Sequence, residues 1–348
     1  MPTGLRVVVK LGTQVVSRAP GSGRSGPQGT DGMLALGPLG SLVEQVHGLL
    51  AAGHEVILVS SGAVGLGAAR LGLGRPTSLA DRQAAAAVGQ GVLMAFYDAL
   101  FTRVGRTVAQ VLLTEDDFHR RSHYLDLSQA FERLLALGVV PIVNQNDVVS
   151  TKELALTGRV FGDNDRLAAL VASNLGADVL LLLSNVDGLH TAPPGTPGAT
   201  RIARFDGSAS YAIGEASALG TGGMGSKVEA ARVAARSGVR VVIAHGHGPD
   251  VLRAAVDGDD VGTTFPPEAA MSRRRQWIAF ATAPVGRLDV NDGARRALVD
   301  GEASLLWPGL VGVDGKFAEG DIVAIACDGT PIARGRARRG SDALREGI

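Results

Sequence analysis

The sequence predicts an α/β chain, a mostly parallel buried sheet flanked by helices, followed by a small β-rich tail. Three observations carry this reading. Short runs of Val, Ile and Leu, each of strand length, alternate with stretches of helical periodicity over roughly the first 260 residues. Each run stops at glycines or short polar side chains, as at the carboxyl end of a strand, where ligands sit in open α/β sheets. Near residues 263–275 the alternation gives way to prolines, to Arg273-Arg274-Arg275 and then to shorter strand-like segments.

Residues 5–9 form the first apolar strand, which ends in Lys10-Leu11-Gly12-Thr13. A lysine, a glycine and a hydroxyl at a strand end suit a phosphate; a charged strand end with a turn is the equal alternative. Residues 17–32 are mostly Gly, Ser, Pro, Arg and Gln, too poor in apolar side chains to pack, and read as a mobile loop, either a lid or filler. A helical stretch at 39–50, stopped by Gly53, and a strand at 56–59 complete a first βαβ unit. That strand ends in Ser60-Ser61-Gly62-Ala63-Val64-Gly65-Leu66-Gly67, where backbone amides and a hydroxyl suit an anion, although the glycines miss the dinucleotide-binding spacing.

An Ala-rich helix at 81–101, a strand at 107–113 and a helix at 126–137 lead to a strand at 139–143, after which Asn144, Gln145, Asn146 and Asp147 follow. Gly162-Asp163-Asn164-Asp165 opens a helix at 166–175 that Gly176 ends; taken alone, such short acceptors read as a cap. A buried strand at 179–183 ends in Ser184-Asn185. The irregular region 190–225 closes on Gly220-Thr221-Gly222-Gly223-Met224-Gly225-Ser226-Lys227 and feeds a helix at 228–236, a phosphate cradle in physical terms, with a flexible linker as the alternative. A strand at 239–244 and a helix at 249–256 complete the alternation. The tail reads as strands at 277–280, 286–290, 322–327 and 332–336, punctuated by Asp314-Gly315, Glu319-Gly320 and Asp328-Gly329. Arg334, Arg336, Arg338 and Arg339 make it locally basic, as a solvated face or an RNA contact.

The chain of 348 residues exceeds the usual single-domain size, which suits one large domain with an appendage. Its 34 basic and 34 acidic residues give no net charge, which argues against a general pull toward nucleic acid or an anionic membrane. The single cysteine, Cys327, cannot form an internal disulfide and suits a reducing compartment. No signal-like N-terminus is recognised and no stretch approaches a bilayer span, so a soluble, cytoplasmic protein is expected. Only four of the 34 basic residues are lysines (Lys10, Lys152, Lys227 and Lys316), so a lysine hints that a compact point charge was wanted there. His119, His123, His245 and His247 lack converging partners, and no protein metal site is expected.

Two strand-end clusters, Lys10/Gly12 and the glycine-rich run into Lys227, suit polyphosphate. The other two, Ser61/Gly62 and Asn144/Asp147 with Asn164/Asp165, suit a small zwitterion. Together they imply phosphoryl transfer, in which the protein positions donor and acceptor and neutralises charge. An acceptor carboxylate is already ionised at neutral pH and needs no general base.

In this order and spacing, VVVKLGT, SSGAVGLG, PIVNQNDVV, FGDNDRLAALVA and LGTGGMGSK resemble the amino-acid kinase family, most closely its members that act on L-glutamate. SLLWPGLVGVDGKFAEGDIVAI with GTPIARG and SDAL resembles a PUA domain. The resemblance implies a three-layer αβα sandwich at 1–262, a linker at 263–274 and a small β-rich PUA-like domain at 275–348. It implies transfer of the ATP γ-phosphoryl to the γ-carboxylate of L-glutamate, the first step of proline synthesis, with Mg²⁺ bridging the phosphates. Lys10, Asp165 and Lys227 match the family's catalytic positions, and Ser61, Gly62, Asn144, Asp147 and Asn164 its substrate-binding positions. Lys10, Gly12, Ser184, Asn185, Thr221, Gly222, Gly223, Met224, Gly225, Ser226 and Lys227 match its nucleotide-binding segments. Proline as feedback inhibitor, a homo-oligomer and a glutamyl-phosphate reductase as partner are expected; RNA binding and membrane association are not. Gln145 stands where an acid is expected, Ser184-Asn185 where Thr-Asp is common, and Gly225-Ser226 where two hydroxyl residues are common. The sequence ends soon after SDAL, so the last strand of the tail domain is expected to be short or missing. The rival readings are another member of the same family, an acetylglutamate or uridylate kinase, and an RNA-binding PUA protein.

Overall fold

The computed structural model describes residues 4–16, 35–74, 76–114, 116–119, 121–149, 164–193, 196–207, 223–268, 284–300 and 304–347. They fall into two compact units, divided mainly between Met271 and Ser272. The first unit, which excludes Phe118 and His119 of α5, runs β1 (Arg6–Leu11), α1 (Thr13–Val16), α2 (Leu36–Ala51), β2 (Glu55–Ser60), α3 (Ala63–Arg70), α4 (Leu79–Arg103), β3 (Val108–Leu113), α5 (Asp116–His119), α6 (Arg121–Ala136), β4 (Val140–Gln145), α7 (Asn164–Leu175), β5 (Val179–Ser184), α8 (Met224–Arg236), β6 (Arg240–His245), α9 (Val251–Asp257) and β7 (Gly262–Phe265). The strands form one sheet in the order β3-β4-β2-β1-β5-β6-β7, parallel throughout except for β7, which runs antiparallel to β6.

Val7, Val8, Val9 and Leu11 of β1 are all fully buried, because helices cover both faces of the sheet. This is why the central strands read as unbroken apolar runs and not as alternating ones. On one face, Leu39, Leu42, Val43, Val46 and Leu49 of α2 follow helical spacing and cluster with Val7, Val9, Leu11, Val56 and Leu58, joined by Leu93 of α4 and Leu252 of α9. On the other face α7 packs over β1, β2, β4 and β5, beside α6 and α8. The sheet is therefore the middle of three layers. At its amino edge Arg6 donates to Glu55 on β2 at 2.8 Å, to both oxygens of Glu132 on α6 at 2.7 and 2.9 Å, and to the carbonyl of Leu175 at the end of α7.

Several boundaries differ from the sequence reading. The glycine segment after β2 is the helix α3, entered through Gly62 at φ 104°, a left-handed value that suits glycine. Helix α8 starts at Met224, four residues before the predicted start, and α7 starts at Asn164 instead of 166. Strand β7 pairs with β6 through Phe265, so the linker drawn at 263–274 begins inside the sheet; Thr263 and Phe265 are buried in it. Helix α4, at 25 residues, is long and apolar enough by length and composition to cross a membrane, contrary to the expectation that no stretch is. Its Ala85, Ala86, Gly89, Leu93, Tyr97 and Phe101 are buried within the first unit, which accounts for that composition.

The second unit contains β8 (Gly286–Val290), α10 (Asp292–Asp300), a single 3₁₀ turn (Trp307–Gly309), β9 (Leu310–Gly315), β10 (Ile322–Cys327), β11 (Thr330–Arg336) and α11 (Ser341–Arg345). Its sheet has the order β11-β10-β8-β9, with β8 and β10 parallel. Leu288, Phe317, Val323 and Ala337 form one small core, and Val290, Ile325 and Cys327 another. The predicted tail strands at 286–290, 322–327 and 332–336 are present, whereas that at 277–280 lies outside the described residues. SDAL opens the short helix α11.

Helices α3 and α4 approach until their backbones touch: a Cβ on Gly67 would run into the carbonyl oxygen of Ala85, and one on Gly89 into that of Ala63. A Cβ on Gly65 in the same helix would meet nothing. Gly67→Ala and Gly89→Ala should each cost more than about 2 kcal/mol in chemical denaturation, through overpacking, while Gly65→Ala should be neutral or stabilise by about 0.5–1 kcal/mol.

Candidate functional site

Helix α7 begins over the carboxyl ends of β1, β2, β4 and β5, and its first two residues gather the surrounding elements. Asp165 has no exposed surface. Lys10, at the end of β1, places Nζ 2.7 Å from its Oδ1, and Lys227, in the first turn of α8, places Nζ 3.0 Å from its Oδ2. Burial by itself would raise the pKa of Asp165, but the two ammoniums overcome that and hold it down to about 2. One carboxylate thus neutralises half of a pair of lysines that are themselves almost fully buried.

Asn164 does the corresponding work with neutral groups. Its Nδ2 lies 2.6 Å from the carbonyl of Ser60, 2.9 Å from Ser61 Oγ and 3.0 Å from Asn144 Oδ1, so β2 and β4 are tied to the start of α7. Asn144 Oδ1 also accepts from the backbone N–H of Gln145, and Asn144 Nδ2 donates to Gln90 Oε1 at 2.8 Å. Ser60 Oγ, beneath Ser61, meets the hydroxyl of the buried Tyr97 at 2.8 Å. Beside this network Gln90, Gln110, Gln145, Asn146 and Asp147 line a cavity of about 250 Å³. Burial raises the carboxyl of Asp147 to about 6, against the opposing charge of Arg82.

The nucleotide-type segments sit on the neighbouring ends. A Cβ on Gly12 would lie 3.3 Å from the carbonyl of Leu183 and 3.9 Å from Lys10 Nζ, so the chain here passes close between β1 and β5. Gly223 caps α8 without a side-chain bond, and Ser226 Oγ turns back to the Gly223 carbonyl at 2.8 Å. The first amides of α8 thus have no intrahelical acceptor and the helix dipole favours an anion there. Ser184, at the end of β5, is buried and donates to the exposed Asn185 at 3.3 Å. Gly62 is the left-handed entry residue of α3. Thr221 and Gly222 lie outside the described residues.

The structure therefore brings together Lys10, Asp165 and Lys227 around one carboxylate, and Ser61, Asn144 and Asn164 around one amide, with Asp147 in the adjoining cavity. Sequence reasoning missed Gln90 and Tyr97. Their signal was a polar pair two turns apart on the α4 face otherwise formed by Ala85, Ala86, Gly89 and Leu93. Among the described residues no group of three or more His, Cys, Asp or Glu side chains is placed to hold a metal ion.

A parallel sheet whose carboxyl edge carries two caged lysines beside an acidic, amide-lined cavity defines an α/β enzyme that sets a phosphorylated donor against a small polar acceptor. The chain belongs to the amino acid kinase family, whose description matches residues 5–245, and residues 286–347 match the PUA domain. It is similar to the glutamate 5-kinase of Salinispora arenicola, 47% identical over 95% of this chain and 86% of that one, and to that of Streptomyces coelicolor, 46% identical over 95% and 85%. A glutamate 5-kinase of Synechococcus is 44% identical over 97% and 90%.

Removing the shared carboxylate leaves two buried ammoniums unpaired. Asp165→Ala should lower stability at pH 7 by about 3–5 kcal/mol in urea unfolding. In the unmodified protein the folded carboxyl titrates below its unfolded value, so its contribution is complete above the unfolded pKa of about 4 and is lost as pH falls toward about 2. The variant should lack that acid limb.

Proposed function

We propose that the chain is an ATP-dependent phosphotransferase that phosphorylates the γ-carboxylate of L-glutamate to L-glutamyl 5-phosphate, for proline synthesis. The observation that carries this is the pair of lysines held by Asp165 between the glycine-led start of α8 and the cavity containing Asp147. The relatives named glutamate 5-kinase support the choice of acceptor.

In this reading Gly12, Ser184, Asn185 and residues 221–227 hold ATP, and Ser61, Gly62, Asn144, Asp147 and Asn164 hold glutamate. An oxygen of the γ-carboxylate attacks the γ-phosphorus in line; the bond to the bridging oxygen breaks and its electron pair leaves with ADP. No proton moves at the acceptor. Lys10 and Lys227 lie where charge on the moving phosphoryl must be offset, and Asp165 fixes both. ATP enters as its magnesium complex. Both oxygens of Asp165 face lysines, so the donor set suits a cation carried by the phosphates and not one caged by the protein. Asp147 takes the free α-ammonium, which an N-acetylated acceptor lacks, and this disfavours an acetylglutamate kinase. Proline, which shares that ammonium and α-carboxylate, competes for the same cavity. The cytoplasm, a homo-oligomer and a glutamyl-phosphate reductase that consumes the labile acyl phosphate complete the reading, with the kinase and PUA-like domains divided near residues 263–274. The tail adjusts assembly or regulation and does not bind RNA.

With L-glutamate, ATP and hydroxylamine, hydroxamate should form, be suppressed by proline, and be absent with N-acetylglutamate; Lys10→Ala and Lys227→Ala should each lower kcat by about 10²–10³. No product from glutamate sinks the proposal. Because ionised Asp147 is the form that holds an ammonium, the KM for glutamate should rise as pH falls through about 6, and Asp147→Asn should abolish that limb of the profile at a uniformly high KM.

A further inference from the structure

The hydrogen bonds around Asn144 run in one direction, and that direction leaves a buried, unpartnered donor on a residue that lines the substrate cavity. A backbone N–H, that of Gln145, fixes Asn144 Oδ1 as an acceptor; a backbone carbonyl, that of Ser60, fixes Asn164 Nδ2 as a donor. Asn144 must then present Nδ2 to Gln90, and Gln90 must answer with Oε1. Gln90 Nε2 is left over. Gln90 is 92% buried, its Nε2 has no hydrogen-bond partner among the described residues, and the residue lines the 250 Å³ cavity together with Asp147. A buried N–H pair without an acceptor costs about 1–3 kcal/mol, a cost that a bound acceptor removes.

We infer that Gln90 donates from Nε2 to the α-carboxylate of the amino-acid acceptor and so sets which acceptors the cavity takes, an inference that rests on the function proposed above. A dicarboxylic amino acid carries three charged groups. Its γ-carboxylate must face the lysine pair and its ammonium has Asp147, so the α-carboxylate still needs a donor. Of the other glutamines in the wall, Gln145 is engaged elsewhere and Gln110 is exposed on β3. A neutral amide also suits the position, since a cation there would compete with the substrate's ammonium for Asp147. Gln90 is thus a specificity-determining residue within the acceptor subsite.

The test compares L-glutamate with 4-aminobutyrate, which is glutamate without its α-carboxylate, on the full-length protein, Gln90→Glu and Gln90→Ala. Gln90→Glu keeps an acceptor for Asn144 Nδ2, and hence the network, but replaces the free donor with a second carboxylate. The KM for glutamate should rise about 10-fold or more in both variants, with the KM for ATP within about 2-fold. The Ki of 4-aminobutyrate as a competitor should change by less than about 3-fold, because that compound has no group to lose, so the preference for glutamate collapses about 10-fold. Parallel weakening of both compounds, or an unchanged preference in Gln90→Glu, overturns the inference while the proposed activity stands. Failure of the unmodified protein to phosphorylate glutamate overturns both.

Discussion

Asp165 is the interaction on which the carboxyl edge of the sheet depends. A carboxylate with no solvent contact is costly unless its charge is met, and here it is met twice, from the end of β1 and from the first turn of α8. The distances therefore fix where the amino end of α8 stands relative to the central strand. Two ammoniums about one carboxylate also leave a surplus positive charge in a site with little water. That imbalance makes the edge attractive to an anion before any specific contact forms.

The neighbouring residue extends the same construction without charge. Asn164 is one position earlier in α7, and its amide ties β2 and β4 just as the Asp165 carboxylate ties β1 and α8. Two consecutive side chains at one helix start thus hold a cationic half and a neutral, amide-lined half of the site side by side. Transfer of a phosphoryl group to a carboxylate asks for this division. One half must disperse charge, and the other must orient an acceptor that is already nucleophilic.

Much of this was legible in the residues. The buried strands announced themselves because both faces are covered, and the polar residues after β2, β4 and β5 marked the edge where ligands bind. Lys10 and Lys227 stood out in a chain that otherwise uses arginine, and the point charges needed at Asp165 explain that choice. Tertiary packing concealed the rest. The glycines after β2 were read only as an anion-suited strand end, yet they belong to helix α3 and its entry, and Gly67 serves there because α3 and α4 touch backbone to backbone. The four-residue strand β7 borrows its stability from β6, and β9, with two glycines, takes its pairing from β8. Helix α10 has helical charge spacing, Asp292 to Arg295 and Arg296, in a region read only for strands. Gln90 and Tyr97 escaped notice because an Ala-rich helix shows its buried face only when its neighbours are known.

The position of β1 shapes how the chain can assemble. It precedes the other described strands in the chain and lies in the middle of the finished sheet, flanked by β2, which begins at Glu55, and by β5, which begins at Val179. Its polar partners are equally spread, with the Arg6 guanidinium reaching Glu55 and Glu132 and its backbone N–H donating to Asp178. At about 5–20 residues per second, β5 follows β1 out of the ribosome after roughly 10–30 s. Through that interval one edge of this central, largely apolar strand has no mate, so the nascent half-sheet is exposed to wrong pairings and the finished fold is reached late, with high contact order.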